Sequence, residues 1–154
     1  CSGLVGEIEF ISAMTNIFEL WFDENEGLVG TIPTEIGTLT ELASLSFSNC
    51  DLSGVIPTEI GKLTKMEQMW LFGNWFSVDI PTEIGLLAQL EILGLEDNDI
   101  SGVSMPDEVC DLDLVALSAD CGGDSYFMNC TCCTCCEPPC PIVNLPLYET
   151  RFLR

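Results

Sequence analysis

The sequence predicts an α/β-type solenoid, in which short strands and short helical turns alternate around one continuous core. The hexapeptide IPTEIG occurs at residues 32–37, 56–61 and 80–85, so it returns every 24 residues. A dense apolar pattern fills the interval between the copies, and the ten cysteines concentrate towards one end of the chain. A fixed period of this length indicates a repeated structural unit rather than a single active site.

Within one period, the apolar residues predict a strand followed by a turn. Leu45 and Phe47 alternate with serines, as expected of a short strand with one buried face. The Ile56-Pro57 pair then turns the chain, because proline fixes φ and cannot donate to a sheet. Thr-Glu-Ile-Gly is expected to form a short helical turn. One coil buries too little apolar surface to stand alone, so stacking of coils must supply the stability.

The repeated unit resembles the leucine-rich repeat, L-x-x-L-x-L-x-x-N/C-x-L, and its G-x-I-P-x-x-I-G segment resembles the plant-type subclass. This resemblance covers about residues 1–120, with Val78 in place of a usual glycine and Ser104 as an insertion. It implies a right-handed superhelix with short parallel strands on the concave face and 3-10 or short helical turns on the convex face. It also implies a ladder of asparagine side chains bonded to backbone groups. Cys50 occupies one rung, so we expect a buried thiol there.

These features divide the chain into three parts. Residues 1–120 are predicted to form about four 24-residue coils and a cap strand, residues 121–140 a cysteine-rich cap, and residues 141–154 an extended tail. The chain begins in the middle of a repeat, since Cys1 precedes Leu4 as Asn25 precedes Leu28. We therefore expect further residues upstream. The apolar tail is expected to pack along the solenoid or onto a neighbouring subunit.

The charge of the chain is strongly negative, with 25 acidic and four basic residues and a net charge of −21. Such a surface repels nucleic acids and anionic membranes and favours cationic partners or divalent ions. The alternative is that acidity only keeps a secreted protein soluble. No run of 18 apolar residues occurs, so no transmembrane helix is predicted.

Eight of the cysteines fall within 31 residues, and an even number predicts a disulfide-bonded cap formed in an oxidising compartment. They are Cys110, Cys121, Cys130, Cys132, Cys133, Cys135, Cys136 and Cys140. Their pairing cannot be read from the sequence. The segment NCTCCTCC resembles the C-terminal caps of secreted diatom leucine-rich repeat proteins. Zinc binding by closely spaced thiolates is the alternative, although the chain has no histidine. Asn129 begins an N-glycosylation sequon.

Two other patterns suggest ligands. Residues 97–108 approximate a calcium loop with Asp97, Asp99, Ser101 and Glu108 as ligands, but they overlap ordinary repeat positions and contain a proline. Coincidence is the favoured interpretation, with weak calcium binding left open. A column of threonines (34, 58 and 82) could suggest an ice-binding surface. The glutamate beside each threonine favours simple turn formation instead.

The side chains between the buried leucines are expected on the open concave surface, and they supply the candidate partner-binding residues. Trp21 and Trp70 fall in one column, two coils apart, and are predicted to be exposed beside acids. The full set is Phe18, Trp21, Glu67, Trp70, Phe72 and Glu96. The alternative is that the tryptophans pack on a missing upstream part or on the tail.

Catalysis is not predicted, because the chain has no histidine, nucleophile elbow or phosphate loop. No cofactor is expected. The sequence favours a non-enzymatic protein-interaction module, such as a subunit of a larger extracellular assembly, whose partner has a basic or aromatic-accepting surface. An oxidising organelle lumen is the alternative location. A receptor-like ectodomain or an acidic binder of divalent ions or mineral surfaces is the alternative function.

Overall fold

The computed structural model describes residues 5–77, 79–100, 104–121 and 128–134. Its strands are β1 (Val5–Gly6), β2 (Glu19–Trp21), β3 (Gly27–Gly30), β4 (Ser44–Ser46), β5 (Asp51–Gly54), β6 (Gln68–Trp70), β7 (Trp75–Phe76), β8 (Ile92–Gly94) and β9 (Ala116–Ser118). The 3-10 helices are η1 (Glu9–Ala13), η2 (Thr34–Thr38), η3 (Thr58–Lys62) and η4 (Thr82–Leu86), followed by one α-helical turn, α1 (Asp107–Cys110).

The strands form two parallel sheets on different sides of the coil. The concave sheet has the order β2-β4-β6-β8-β9, and a lateral sheet has the order β1-β3-β5-β7. In the concave sheet Leu45 lies beside Met69, and Leu93 beside Leu117, 24 residues apart in each case. Leu20 pairs with Leu45 at 25 residues, so the first complete coil contains one extra residue. The predicted leucine-rich repeat solenoid is confirmed.

The 3-10 helices explain why the hexapeptide recurs. Successive turns η1 to η4 and α1 stack against one another along the convex side. The second isoleucine of each IPTEIG copy is fully buried, and a proline with extended backbone precedes η2, η3 and η4. The final glycine of the hexapeptide is required because adjacent coils approach each other closely at this position. A Cβ at Gly61 would lie 2.7 Å from the Glu83 carbonyl oxygen of the next coil. Any side chain there would push two coils apart.

The core is one continuous column of apolar side chains that runs along the solenoid axis. Each coil contributes the leucine, isoleucine, methionine and phenylalanine positions of the repeat, and Phe22 stacks on Phe47 with ring centroids 5.8 Å apart. Each such side chain contributes about 1.5–3 kcal/mol when it leaves water. Because neighbouring coils share these contacts, the stability belongs to the stack and not to one coil.

A ladder of side-chain amides fastens each coil to the previous one. The Asn74 Nδ2 donates to the carbonyl oxygens of Phe47, Leu71 and Phe72 at 2.7–3.1 Å, while its Oδ1 accepts from the Leu52 amide at 3.1 Å. Asn98 makes the equivalent bonds one coil further on, including one from the Phe76 amide. The predicted asparagine ladder is confirmed.

Cys50 fills one rung with a thiol. Its Sγ lies 3.1 Å from the Phe22 carbonyl oxygen and 3.7 Å from the Ser48 oxygen, so it reproduces the donor half of the rung. The side chain is buried and outside any disulfide. Burial raises the pKa of the Cys50 thiol, opposed by a hydrogen bond from the Asn25 backbone and assisted by the charges of Asp23 and Asp51. The predicted buried thiol is confirmed, and a buried, protonated thiol is a poor nucleophile.

The C-terminal end of the described chain is closed by disulfides. Cys110 in α1 pairs with Cys132, and Cys130 pairs with Cys133. Cys121 is also disulfide-bonded. The Thr134 hydroxyl donates to the Leu117 carbonyl and accepts from the Leu117 amide, both at 2.9 Å, which covers the edge of β9. Cys135, Cys136, Cys140 and the predicted tail lie outside the described residues.

The disulfides leave no free thiolate at Cys130 and Cys132, two of the predicted zinc ligands, and the third, Cys135, lies outside the described residues. The sulfurs of Cys121, Cys130 and Cys133 lie within 4.8 Å of one another, but all three are oxidised to disulfides and therefore offer no thiolate to a metal. Asn129 is exposed, its backbone oxygen accepts from the Met105 amide at 2.9 Å, and glycosylation of its side chain stays a prediction. In the described part of the chain, no helix has the length and apolar content needed to cross a bilayer.

We expect Asn74→Ala to lower the free energy of unfolding by about 3 kcal/mol, because it leaves buried backbone groups of two coils without partners. Cys50→Ala removes only a weak donor and should cost about 1 kcal/mol. Denaturant unfolding with the disulfides intact measures both. Equal losses would show that the amide acceptor at residue 74 is not what distinguishes the two rungs.

Candidate functional site: the concave face

The concave sheet carries a small apolar cluster that is separate from the core. It consists of Trp70, Ile92 and Ala116, with Trp21 and Phe72 packed against it. Trp70 and Phe72 meet edge to face with centroids 6.4 Å apart. These side chains project from the strands on the side opposite the leucines of the core, as strand alternation requires. They therefore form a second apolar cluster across adjacent coils, outside the core column.

The structure brings part of the predicted site together and buries two of its members. Phe18 is 60% exposed and Glu67 is also exposed, while Trp21 and Phe72 are partly buried. Trp70 and Glu96 are only 2% and 6% exposed. The prediction that Trp70 and Glu96 are exposed is therefore wrong.

The physical reason for the burial of Trp70 lies in the next coil. A Cβ at Gly94 would lie 3.1 Å from the Trp70 ring, so the missing side chain at that position provides the space that the ring fills. On its other side, Trp70 pairs in register with Ser46, which is also small. A large residue between two small neighbours can be buried against them, whereas sequence periodicity alone predicted that Trp70 is exposed.

Polar groups along the same face are tied into local hydrogen bonds. Ser46 donates to the Asp23 carboxylate, and Ser48 offers its amide to the same oxygen at 3.0 Å. At the other end, the Asp120 carboxylate accepts from the Asp97 and Asn98 amides, both at 2.9 Å. The two carboxylates therefore fix the ends of adjacent concave strands. Trp21 differs, because its buried Nε1 has no hydrogen-bond partner among the residues that the structure describes.

Glu96 is the buried acid of this face. Its carboxylate accepts from the Ser118 hydroxyl. Burial raises the pKa of Glu96; the Ser118 hydrogen bond opposes this and the charge of Asp120 adds to it. Glu96 is thus a carboxyl group buried away from solvent, and its negative charge at neutral pH costs desolvation free energy.

The structure does not bring the predicted calcium ligands Asp97, Asp99 and Glu108 together at one site. Asp97 and Asp99 border a lateral cavity next to β7, whereas Glu108 belongs to α1, which packs on η4 around Gly85. Ser101 lies outside the described residues. The hydroxyl of each threonine in the 34, 58 and 82 column lies 3.3–3.4 Å from the glutamate that follows it, so these hydroxyls are engaged within their own turns.

Sequence reasoning missed Trp75, which is 63% exposed and lies in that lateral cavity. The repeat pattern leaves the position directly after each ladder residue unspecified. A signal was present, because the other members of that column are acidic: Glu26, Asp51 and Asp99. One tryptophan among three acids in a periodic column is a local departure that the repeat does not explain.

Comparisons with known proteins agree with the fold. The sequence profile described as Leucine Rich Repeat matches residues 41–63. A chain of the BIR3–SERK2 complex from Arabidopsis thaliana is 32% identical, with 78% of this chain and 70% of that chain covered and a TM-score of 0.62. No curated protein matches this chain.

Two longer structures are similar over a smaller part of their own length. The ectodomain of the Arabidopsis thaliana receptor kinase GASSHO1/SCHENGEN3, in complex with CASPARIAN STRIP INTEGRITY FACTOR 2, is 31% identical, with 72% of this chain and 13% of that chain covered and a TM-score of 0.66. A plant ice-binding protein is 30% identical, with 77% of this chain and 38% of that chain covered and a TM-score of 0.69.

The two parallel sheets, the amide ladder and the stacked 3-10 helices define a solenoid built from a repeated strand-and-turn unit. This chain belongs to the leucine-rich repeat family, in its plant-type form. It spans only a small part of the GASSHO1/SCHENGEN3 ectodomain and well under half of the ice-binding protein.

We expect Glu96→Gln to stabilise the protein increasingly as the pH rises from 4 to 7. The folded pKa of Glu96 lies above its unfolded value of 4.5, so its contribution is most favourable below that value and is lost as the pH rises through the folded pKa. Glutamine keeps an acceptor for Ser118 without a charge. Thermal unfolding at several pH values measures this effect. Glu91→Gln, at an exposed position, is the control, and an identical pH profile for both variants would contradict the assignment.

Proposed function

We propose that this protein is a non-enzymatic recognition module that binds a segment of another protein along its concave face. The observation that carries the proposal is the apolar cluster around Trp70, which lies on the concave side and apart from the core. Trp70 is buried at its centre, and Trp21 and Phe72 are partly exposed at its margin. Aromatic anchors of this kind, surrounded by polar groups, are the usual centre of a protein interface.

We infer that the remaining candidates contact the partner beside this cluster. Phe18 offers a largely exposed ring at the edge of the sheet where β2 begins, and Glu67 is an exposed acid where β6 begins. The buried Nε1 of Trp21 would be satisfied by a carbonyl oxygen of a bound segment, which would remove a desolvation cost. Trp70 and Phe72 form the floor, and Glu96 stiffens it through Ser118.

The structures most relevant to this proposal are themselves complexes. The GASSHO1/SCHENGEN3 ectodomain is bound to CASPARIAN STRIP INTEGRITY FACTOR 2, and the BIR3–SERK2 structure is a complex of two proteins. These facts belong to those proteins, and they support recognition of a peptide or protein by this chain. The acidity of this chain favours a partner with a basic or aromatic-accepting surface.

The disulfides of the cap support a secreted or extracellular location, with an oxidising organelle lumen as the alternative. Two functions fit such a location: a subunit of a larger assembly and a receptor-like ectodomain. They differ in how long the complex with the partner lasts. The predicted tail, residues 141–154, would add contacts in the assembly subunit. We expect no cofactor and no catalytic activity.

We expect an affinity-tagged chain to retain one stoichiometric partner from its native source in both low and high salt. Phe18→Ser and Trp21→Ala should each reduce the bound partner at least tenfold, since anchors of this kind are each worth more than about 1.4 kcal/mol. Mass spectrometry of the retained protein and a binding isotherm with the purified partner measure the effect.

Leu86→Ser is the matched control, because Leu86 is 62% exposed but lies in η4 on the convex side. It should leave binding unchanged. Equal losses in all three variants, or a monomer that retains nothing in low salt, would contradict the concave-face proposal. Circular dichroism and a denaturant curve confirm that each variant is folded before binding is compared.

A further inference from the structure

A second surface lies beside the concave face, where the chain leaves each concave strand. It is a cavity of about 620 Å³ in the lateral side of the solenoid, bordered by residues from several coils. Its carboxylates belong to Glu26, Asp51, Asp97 and Asp99, and its exposed apolar surface comes from Trp75. A cavity of this size accommodates one large side chain or a small ligand.

The backbone conformation of one column shapes this cavity. Asn49, Gly73 and Asp97 directly precede ladder residues, and all have positive φ, at 54°, 67° and 56°. Asparagine, aspartate and glycine adopt this region most readily. Gly73 has a further requirement, because a Cβ there would collide with the Asn49 side chain. The residue with positive φ turns the chain sharply. The residue that follows the ladder position is therefore exposed to solvent.

Trp75 is held in place at the centre of this surface. Its Nε1 donates to the Asp51 Oδ1 at 3.2 Å, across one coil. The bond uses the edge of the indole, and 63% of the residue remains exposed. Phe76, the next residue in β7, is buried in the core and anchors the backbone. The ring, held by this hydrogen bond, is therefore an exposed aromatic platform next to carboxylates.

The carboxylates around the platform have no basic side chain to balance them among the residues that the structure describes. The cations in that part of the chain are Lys62 and Lys65, and neither borders the cavity. Lys65 is 2.6 Å from Glu41, in an exposed ion pair elsewhere on the solenoid. The negative potential of the cavity therefore attracts a cation from outside the described chain.

We propose that this lateral cavity binds an arginine or lysine side chain from a basic segment of a partner protein, with the cation over the Trp75 ring and its donors directed at Asp51 and Asp99. An aromatic face and a carboxylate both attract the same cation, and arginine can satisfy both at once. This surface is distinct from the concave face, so its occupancy does not depend on the function proposed above.

The probe is the capped peptide acetyl-Arg-Gly-Arg-amide, added to the whole chain labelled with ¹⁵N. The chain has three tryptophans, and Trp75→Phe identifies the Trp75 indole resonance. We expect the arginine peptide to shift that resonance saturably, and the neutral citrulline peptide to leave it unmoved. Binding should be at least fivefold weaker in 0.5 M salt, which is about five times the ionic strength that gives a 10 Å screening length.

Two charge variants test whether the site is local. Asp51→Asn keeps an acceptor for the Trp75 Nε1 but removes the charge, and should weaken peptide binding about fivefold or more. Asp113→Asn makes the same change at an exposed position outside the cavity and should have no effect. Phe18→Ser should also leave this binding unchanged, which separates this surface from the concave face.

Three outcomes would overturn the proposal. An unmoved Trp75 resonance would show that the cation does not reach the ring. Equal weakening by Asp51→Asn and Asp113→Asn would show attraction to the overall charge only. A shift of the same resonance by a neutral oligosaccharide such as cellobiose, with none from the arginine peptide, would assign the platform to carbohydrate instead.

Discussion

The ladder of buried side chains at residues 50, 74 and 98 is the constraint on which the rest of the structure depends. Each asparagine donates to the strand of its own coil and the strand before it, and accepts from an amide of the previous coil. These bonds fix both the rotation and the rise from one coil to the next. Backbone groups at a turn inside a solenoid would otherwise be buried without partners, at a cost of about 1–3 kcal/mol each.

The concave and lateral surfaces both follow from this constraint. Residues before the ladder position lie on the concave sheet, and residues after it lie on the lateral side. Because the register is constant, residues 24 apart become neighbours, as the Asp51–Trp75 hydrogen bond shows. Residues at equivalent positions of successive coils therefore form a continuous row on the surface. A departure from the column, such as the tryptophan at residue 75, becomes a unique feature of an otherwise regular face.

The sequence was sufficient for the fold because every coil repeats the same physical requirements. Period, proline position and ladder residue predicted the strands, the 3-10 helices and the buried Cys50. Burial on the concave face was harder, because it depends on neighbours in the adjacent coils. Trp70 is buried between two small neighbours in the adjacent coils, Gly94 and Ser46. The pairing of the cap cysteines depends on how the end of the chain folds back, and no spacing rule contains that information.

The most direct test of this account is native-state hydrogen exchange at the Leu52 and Phe76 amides, which donate to the side chains of Asn74 and Asn98. If the ladder fixes the register, both amides exchange only with global unfolding and are as protected as the amides of β6. Exchange of Leu52 and Phe76 at the rate of exposed turns, while β6 stays protected, would show that packing alone sets the register. The ladder would then be a consequence of the fold and not its foundation.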